Sequence, residues 1–171
     1  MDTMETIRER RSIRQYEDRP VEDEKLQQVM EAARLAPSAG NRQEWKFVVV
    51  RDPELRSQLV GAARDQQFVA EAPVCIAACA QAHGYVMSCG YASHTIDLAI
   101  ALDHIQLAAR ALGLGTCWLG AFEQDKVRHV LGIPATIEVV GLMPLGYPAE
   151  WPGPRDRRSY DDVVSFDTWQ D

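Results

Sequence analysis

The chain has 171 residues, of which 46% are hydrophobic and 25% are charged, and its formal net charge is −7. This length and composition are typical of one folded domain, residues 1–171, and they argue against a disordered chain and against two independent cores. The negative charge argues against general nucleic-acid binding, because that affinity comes largely from Lys and Arg side chains that neutralise phosphates.

The cysteines and the apolar segments bear on metals and on location. The four cysteines form neither a CxxC pair nor a Cys/His spacing typical of metal binding. No apolar run reaches the roughly 20 residues of a membrane span, and residues 1–11 are charged, unlike a signal peptide. These features predict a cytoplasmic protein with reduced thiols, without a bound metal and without a membrane partner.

The first elements in chain order are a short helix and a basic segment. Residues 4–9 predict one or two helical turns, and Arg10-Arg11-Ser12-Ile13-Arg14-Gln15-Tyr16 follows, with three guanidiniums within five residues. Arginine suits forked bonding of phosphate or carboxylate and stays charged at physiological pH. The segment is therefore a candidate anion site, and the alternative is a solvated basic patch.

Helices and apolar strands then alternate. The spacing of apolar residues predicts a helix over 22–35, and the Pro-, Ser- and Gly-rich segment 36–41 ends it. A second helix begins at Asp52-Pro53. The apolar-biased run 45–50, which lacks alternation, predicts a strand that is covered on both faces, and the run 74–80 predicts a second buried strand.

The longest predicted helix spans residues 94–112 and is apolar almost all round. Such a helix is buried, and in a domain of this size burial on every side implies that a second subunit covers one face. The irregular segment 81–93 before it is a candidate cover for a pocket. A short strand over 116–119, a helix over 125–131 and a strand over 137–142 follow.

From residue 144 onward the sequence is rich in Pro and Gly and predicts an extended C-terminal arm, residues 144–171. The arm carries Arg155, Arg157 and Arg158, and residues 161–164 are a candidate edge strand or docking segment. We expect Arg158 to be exposed to solvent.

Several common site signatures are absent from the sequence. It contains no GxxxxGK[ST] and no GxGxxG after a strand, and no Ser/His/Asp or Cys/His nucleophile pattern stands out. The four histidines are scattered. We therefore name no catalytic side chain.

Three motifs, taken together and in order, resemble the FMN-dependent nitroreductase family. They are Arg-Arg-Ser-x-Arg-x-Tyr at 10–16, Pro-Ser-x-x-Asn-x-Gln-x-Trp at 37–45, and the basic pair of the arm. The apolar run 94–101 and the segment 113–122, Gly-Leu-Gly-Thr-Cys-Trp-Leu-Gly-Ala-Phe, are similar to that family as well. The likeness extends over nearly the whole chain.

The resemblance implies an α+β fold with a central mixed, mostly antiparallel sheet flanked by helices. It also implies an intertwined homodimer, with an extended C-terminal arm on each subunit and two FMN molecules held at the interface. The acceptor would be a small molecule.

The resemblance further implies which residues bind the cofactor. Arg10, Arg11 and Ser12 would contact the FMN phosphate and ribityl chain, and Arg14 would reach the pyrimidine edge of the flavin. Arg155 and Arg157 would close over the phosphate. The isoalloxazine would be lined by a loop of the partner subunit: Pro37, Ser38, Ala39, Gly40, Asn41 and Gln43. Its other edge would face Trp118, Leu119, Gly120 and Ala121, although Trp118 and Leu119 could instead be core residues.

The activity implied is that of a flavoprotein oxidoreductase. Hydride from NADH or NADPH would pass through flavin N5 to a nitroaromatic, quinone or similar acceptor, with Arg14 stabilising the reduced flavin. The alternative is an FMN-binding module, acting as a store, a sensor or a partner-reduced protein, without NAD(P)H turnover. A specialised branch of the family is a third alternative. Glu44, where many members have Pro, and the short segment 81–93 leave the acceptor open.

Overall fold

The computed structural model describes residues 1–81 and 84–170 of the chain. The helices are α1 Thr3–Glu9, α2 Asp23–Arg34, α3 Pro53–Ala62, α4 Phe68–Glu71, α5 Ser93–Ala111 and α6 Gln124–Leu131, with a short 3-10 turn at Ala39–Asn41. The strands are β1 Trp45–Val50, β2 Val74–Ala80, β3 Gly115–Thr116 and β4 Glu138–Gly146.

Local sequence signals account for the helix ends. Asp2 caps α1 in a reciprocal capping box with Glu5, and Asp52 caps α3 just before a proline at the first helical position. Gly132 ends α6 with a left-handed backbone, φ 63°, which a residue without Cβ adopts readily. These boundaries agree with the sequence prediction to within one or two residues.

The four strands form one sheet in the order β1-β2-β4-β3, and all their pairings are antiparallel. A parallel bridge between Ser12 and Thr116 adds the N-terminal segment beside β3. The α+β fold class predicted from the sequence is therefore confirmed.

Helices cover both faces of the sheet. In the central strand β2, Val74, Ile76, Ala78 and Ala80 join one core cluster, whereas the alternate residues, among them Ala77, join the other. This alternation is the two-residue period of a strand. The first cluster includes residues of α2 and α5, and the second includes residues of α3, α4 and α6.

Some elements differ from their prediction. Strand β1 is an edge strand in which only Val50 is fully buried. Its partly buried Phe47 and Val49 nevertheless pack against one core cluster and Val48 against the other, so both faces of β1 are partly covered. Strand β4 continues to Gly146, beyond the predicted end at residue 142. Strand β3 ends at Thr116, and residues 161–164 lie in and beside a turn instead of a strand.

Helix α5 is the longest helix, as predicted, and is buried along much of its length. Leu98, Leu102 and Ile105 are fully buried, whereas Ile96 is exposed and Ile100 is half-buried. One side of α5 is thus uncovered in the single chain, and its burial by a second subunit stays a prediction. None of the helices in the described part of the chain has the length and hydropathy needed to cross a membrane.

Candidate functional site

The N-terminal basic segment is joined to the root of the C-terminal arm. The Glu17 N–H donates to the Tyr147 carbonyl at 2.9 Å, and the Ala149 N–H donates to the Gln15 carbonyl at 3.1 Å. Between them, Tyr16 and Pro148 form an antiparallel bridge. These contacts carry the arm back towards the arginines of the N-terminal segment, although the two segments are far apart in sequence.

Tyr16 anchors the same region from inside. Its hydroxyl lies 3.0 Å from the Ile13 carbonyl and 3.3 Å from the Pro144 carbonyl, so it can donate to either. Burial raises the pKa of Tyr16 well above its ordinary value, so the hydroxyl remains a donor at physiological pH.

Strand β3 supports the other side of the basic segment at very close range. The Ile13 N–H donates to the Thr116 carbonyl at 2.8 Å, and the Ile13 side chain is only 1% exposed. A Cβ added to Gly115 would lie 2.4 Å from Ile13 Cγ1 and 2.8 Å from Pro148 Cγ. Only glycine permits this approach without displacing a neighbour.

A cleft of about 390 Å³ opens between these segments, within the range of roughly 300–1,000 Å³ typical of small-molecule sites. Its lining comes from both ends of the chain: Arg10, Arg11, Ser12, Arg14, Gln15, Glu150, Pro152, Gly153, Arg155 and Arg157. The structure thus brings together six of the residues predicted to bind the cofactor.

The charge in this cleft is strongly positive. Five arginines line it against one acidic residue, Glu150, and none of the five forms an ion pair with another residue in the described part of the chain. Arg11 Nε is buried without a hydrogen-bond partner among the described residues. Guanidiniums in this arrangement suit a phosphate, which can accept several charge-assisted hydrogen bonds at once.

Helix α5 holds both walls of the cleft. Arg10 donates to Gln106 Oε1 at 3.3 Å, and Arg110 pairs with Glu9 of α1. The Arg110 guanidinium also lies 4.1 Å from the ring centroid of Trp151 in the arm, a cation–π distance. Helix α5 therefore contacts both the N-terminal helix and the arm.

The loop predicted to line the flavin contacts a different part of α5, away from the cleft. Its residues are Pro37, Ser38, Ala39, Gly40, Asn41 and Gln43, and none of them lines the cleft. The Ala39 N–H donates to Asp97 Oδ1 at 3.0 Å. Asp97 precedes Gln106 by nine positions, which is roughly 14 Å along the helix axis.

The segment 118–121 does not line the cleft either. Leu119 is buried in the second core cluster and bridges to Leu142 of β4, so its side chain is a core residue. Trp118 is 38% exposed, and Gly120 and Ala121 are exposed. The Ala121 carbonyl accepts a bond from Gln66 at 3.3 Å.

Residues 84–92 form a small hairpin beside the 36–43 loop. Val86 bridges to Ala92, and the Arg42 guanidinium stacks 3.7 Å from the Tyr85 ring centroid. These residues do not line the cleft. The predicted pocket cover includes residues 82–83, His83 among them, which lie outside the described residues.

Sequence reasoning missed two polar residues of α5 that act on these segments. Gln106 binds Arg10, and Asp97 binds the backbone of the 36–43 loop. Their polarity was only a weak signal, because exposed residues such as Asp103 in the same helix are polar as well, and the structure is needed to show that Asp97 and Gln106 are buried. In the described part of the chain, no group of three or more His, Cys, Asp or Glu residues is placed to hold a metal ion.

Comparison with known proteins gives a consistent result. The sequence profile of the nitroreductase family matches residues 7–147. An NADH dehydrogenase of Thermus thermophilus is 32% identical over 195 residues, covering 96% of this chain and 95% of that protein. A nitroreductase family protein from Clostridium difficile 630 superposes with a TM-score of 0.89 at 31% identity, covering 99% of this chain and 100% of its own. The NADPH:FMN oxidoreductase of Vibrio harveyi, complexed with NAD+, gives a TM-score of 0.90 at 29% identity, covering 99% of this chain and 78% of its own.

Proposed function

This chain belongs to the nitroreductase family and is an oxidoreductase, and we propose that it binds the phosphate of FMN in the arginine cleft. Like the Vibrio harveyi NADPH:FMN oxidoreductase, it uses FMN together with a nicotinamide donor, NADH or NADPH. The acceptor that we propose is a nitroaromatic, a quinone or a similar small molecule. When bound, FMN supplies the centre that accepts and donates hydride.

The observation that carries the proposal is the uncompensated charge of the cleft. Five guanidiniums from two distant segments converge without a carboxylate partner among the described residues, in a protein whose net charge is −7. Such a concentration of like charge is unfavourable unless an anion neutralises it. A dianionic phosphate would accept hydrogen bonds from both basic segments, and the Ser12 hydroxyl would add a neutral donor.

The residues predicted to line the flavin ring require a second subunit in this proposal. Asp97, which binds the 36–43 loop, lies roughly 14 Å from Gln106 along α5, and the loop does not line the cleft of its own chain. We propose that a homodimer brings the partner's loop to the flavin, with the exposed side of α5 in the interface. All four cysteines are free thiols, which supports the cytoplasmic location predicted from the sequence.

A visible absorption spectrum of the purified protein, taken before and after anaerobic addition of NADH or NADPH, tests the activity. We expect a flavin spectrum that bleaches with at least one of the two donors. A flavin spectrum indifferent to both would favour the FMN-binding module. A protein that cannot be reconstituted with FMN would refute the proposal as a whole.

Substitutions in the arm test the location of the phosphate. Removing a charge-assisted contact costs about 2 kcal/mol, so we expect Arg155→Gln and Arg157→Gln each to raise the Kd for FMN roughly thirtyfold. Arg158→Gln is the matched control, because Arg158 is exposed in the same arm and does not line the cleft. Equal affinities in all three variants would place the phosphate elsewhere.

A further inference from the structure

The loop over residues 38–43 has an unusual backbone. Gly40, Asn41 and Gln43 all have positive φ, at 58°, 53° and 53°. A non-glycine residue in this region costs of order 1–3 kcal/mol, and such a conformation persists only where surrounding structure imposes it. Something must therefore hold this loop in place.

The hydrogen bonds within the loop are local. Gln43 N–H donates to Ser38 Oγ at 3.0 Å, Asn41 N–H donates to the Ser38 carbonyl at 2.9 Å, and Gln43 Nε2 donates to the Asn41 carbonyl at 3.2 Å. These bonds define the shape of the loop, but they do not fix its position on the rest of the molecule. The position depends on the junctions of the loop with α2 and β1 and on its contacts with other elements.

Within residues 1–81 and 84–170, two contacts join the loop to distant elements. One is the stacking of Arg42 on Tyr85, whose side chains are both exposed. The other is the hydrogen bond from the Ala39 N–H to Asp97 Oδ1, at 3.0 Å. Asp97 is only 4% exposed, and a hydrogen bond to a buried carboxylate is stronger than one in water.

We propose that Asp97 is a positioning residue, which fixes the 38–43 loop on α5 in the conformation that contacts the flavin. This inference rests on the proposed function, because that function assigns the loop to the flavin ring. Asp97 touches neither cofactor nor substrate in this proposal and acts through the Ala39 N–H. Asp97 belongs to α5, which is packed in the core. The hydrogen bond from the Ala39 N–H to Asp97 therefore fixes the loop relative to this helix.

Two substitutions remove the same hydrogen bond from opposite sides. Asp97→Ala deletes the acceptor. Ala39→Pro deletes the donor without changing α5, and the site suits proline, because Ala39 is the first residue of a 3-10 turn and Ser38 before it is extended, with φ −141° and ψ 156°. Asp97→Asn keeps an accepting oxygen and should rescue the bond. Asp103→Ala is the control, on an exposed acidic residue of the same helix.

The first measurement is FMN affinity, with the visible circular dichroism of the bound flavin. We expect Asp97→Ala and Ala39→Pro each to raise the Kd for FMN about tenfold and to alter the flavin signal. The double variant should be no weaker than either single variant, because both remove one shared interaction. Asp97→Asn and Asp103→Ala should stay within about twofold of the unmodified protein.

The second measurement is amide hydrogen exchange across the loop in FMN-free protein. Exchange should rise about tenfold or more in Asp97→Ala and stay unchanged in Asp103→Ala. Unchanged exchange in Asp97→Ala would show that the hydrogen bond from the Ala39 N–H to Asp97 does not hold the loop in place. Faster exchange with unaltered FMN affinity and flavin signal would overturn the positioning role, and Ala39→Pro provides this comparison if Asp97→Ala does not fold.

The two proposals fail in different ways. An unmodified protein that cannot bind FMN would refute the proposed function, and the role of Asp97 towards the flavin would fall with it. An unmodified protein that binds FMN, with Asp97→Ala and Ala39→Pro indistinguishable from it, would refute the positioning role alone.

Discussion

Substituting Gly115 by alanine should disturb the fold and the cleft together. The added Cβ would lie 2.4 Å from Ile13 Cγ1 and 2.8 Å from Pro148 Cγ, so at least one neighbour must move. Ile13 is 1% exposed and the proline ring is rigid, so neither can swing into solvent. Overpacking of a well-packed site typically costs about 1–3 kcal/mol, and a contact this short belongs at the upper end, about 3 kcal/mol.

The assay is thermal unfolding at a fixed protein concentration, combined with FMN titration. For a chain of this length, about 3 kcal/mol corresponds to a fall in Tm of roughly 6–12 °C. Because Ile13 and Pro148 belong to the segments that carry the two walls of the cleft, the Kd for FMN should rise as well. Gly61→Ala is the control, since no atom lies within 4 Å of its added Cβ, and alanine in helix α3 should stabilise by up to about 1 kcal/mol. A Gly115→Ala protein with unchanged Tm and FMN affinity would refute the packing argument.

Two further predictions concern titrating groups. Cys89 is exposed, whereas the other three thiols are buried and burial raises their pKa values. A thiol reagent at pH 8 should therefore label one cysteine per folded chain and none in the Cys89→Ser variant. Labelling of two or more cysteines per folded chain would contradict this prediction. A hydrogen bond from the Tyr147 hydroxyl is the main cause that lowers the pKa of Glu22 from 4.5 to about 2. A depressed carboxyl pKa stabilises the fold above the unfolded pKa, and this contribution is lost as pH falls through the folded pKa. The Tm difference between the unmodified protein and Tyr147→Phe should therefore narrow between pH 5 and pH 2, and a constant difference would show that Glu22 is not involved.

The chemistry of the cleft could be predicted from the sequence, because guanidinium groups carry their charge and geometry into any fold. Arg10 and Arg157 are far apart in the chain, and a family resemblance was needed to predict that they meet. The contacts that join the two segments carrying these arginines, such as the bond from the Ala149 N–H to the Gln15 carbonyl, are backbone hydrogen bonds. Such bonds depend little on side-chain identity, so the residues alone gave no signal for this pairing.

The missed features have specific physical causes. Strand β4 was predicted to end at residue 142, because Pro144 and Gly146 are usual breakers, yet the Pro144 carbonyl still accepts a bond from the Cys117 N–H at 3.3 Å. The apolar bias of residues 45–50 does not show that β1 is an edge strand, because its side chains pack against both core clusters, as those of the central strand β2 do. The resemblance predicted that the 36–43 loop contacts the flavin, but it did not predict the hydrogen bond that joins this loop to Asp97.

The arginine cleft, which we propose as the FMN phosphate site, also constrains when the protein can acquire its cofactor during synthesis. One wall consists of residues 10–15 and the other of residues 150–157, so the site is incomplete until residue 157 has been synthesised. At about 5–20 residues per second, roughly 7–30 s separate the synthesis of the two walls. The two segments must therefore meet after the second wall has been synthesised before a phosphate can bind both walls. A chain shortened to residues 1–149 should then fold its core but fail to retain FMN, because it lacks the second wall.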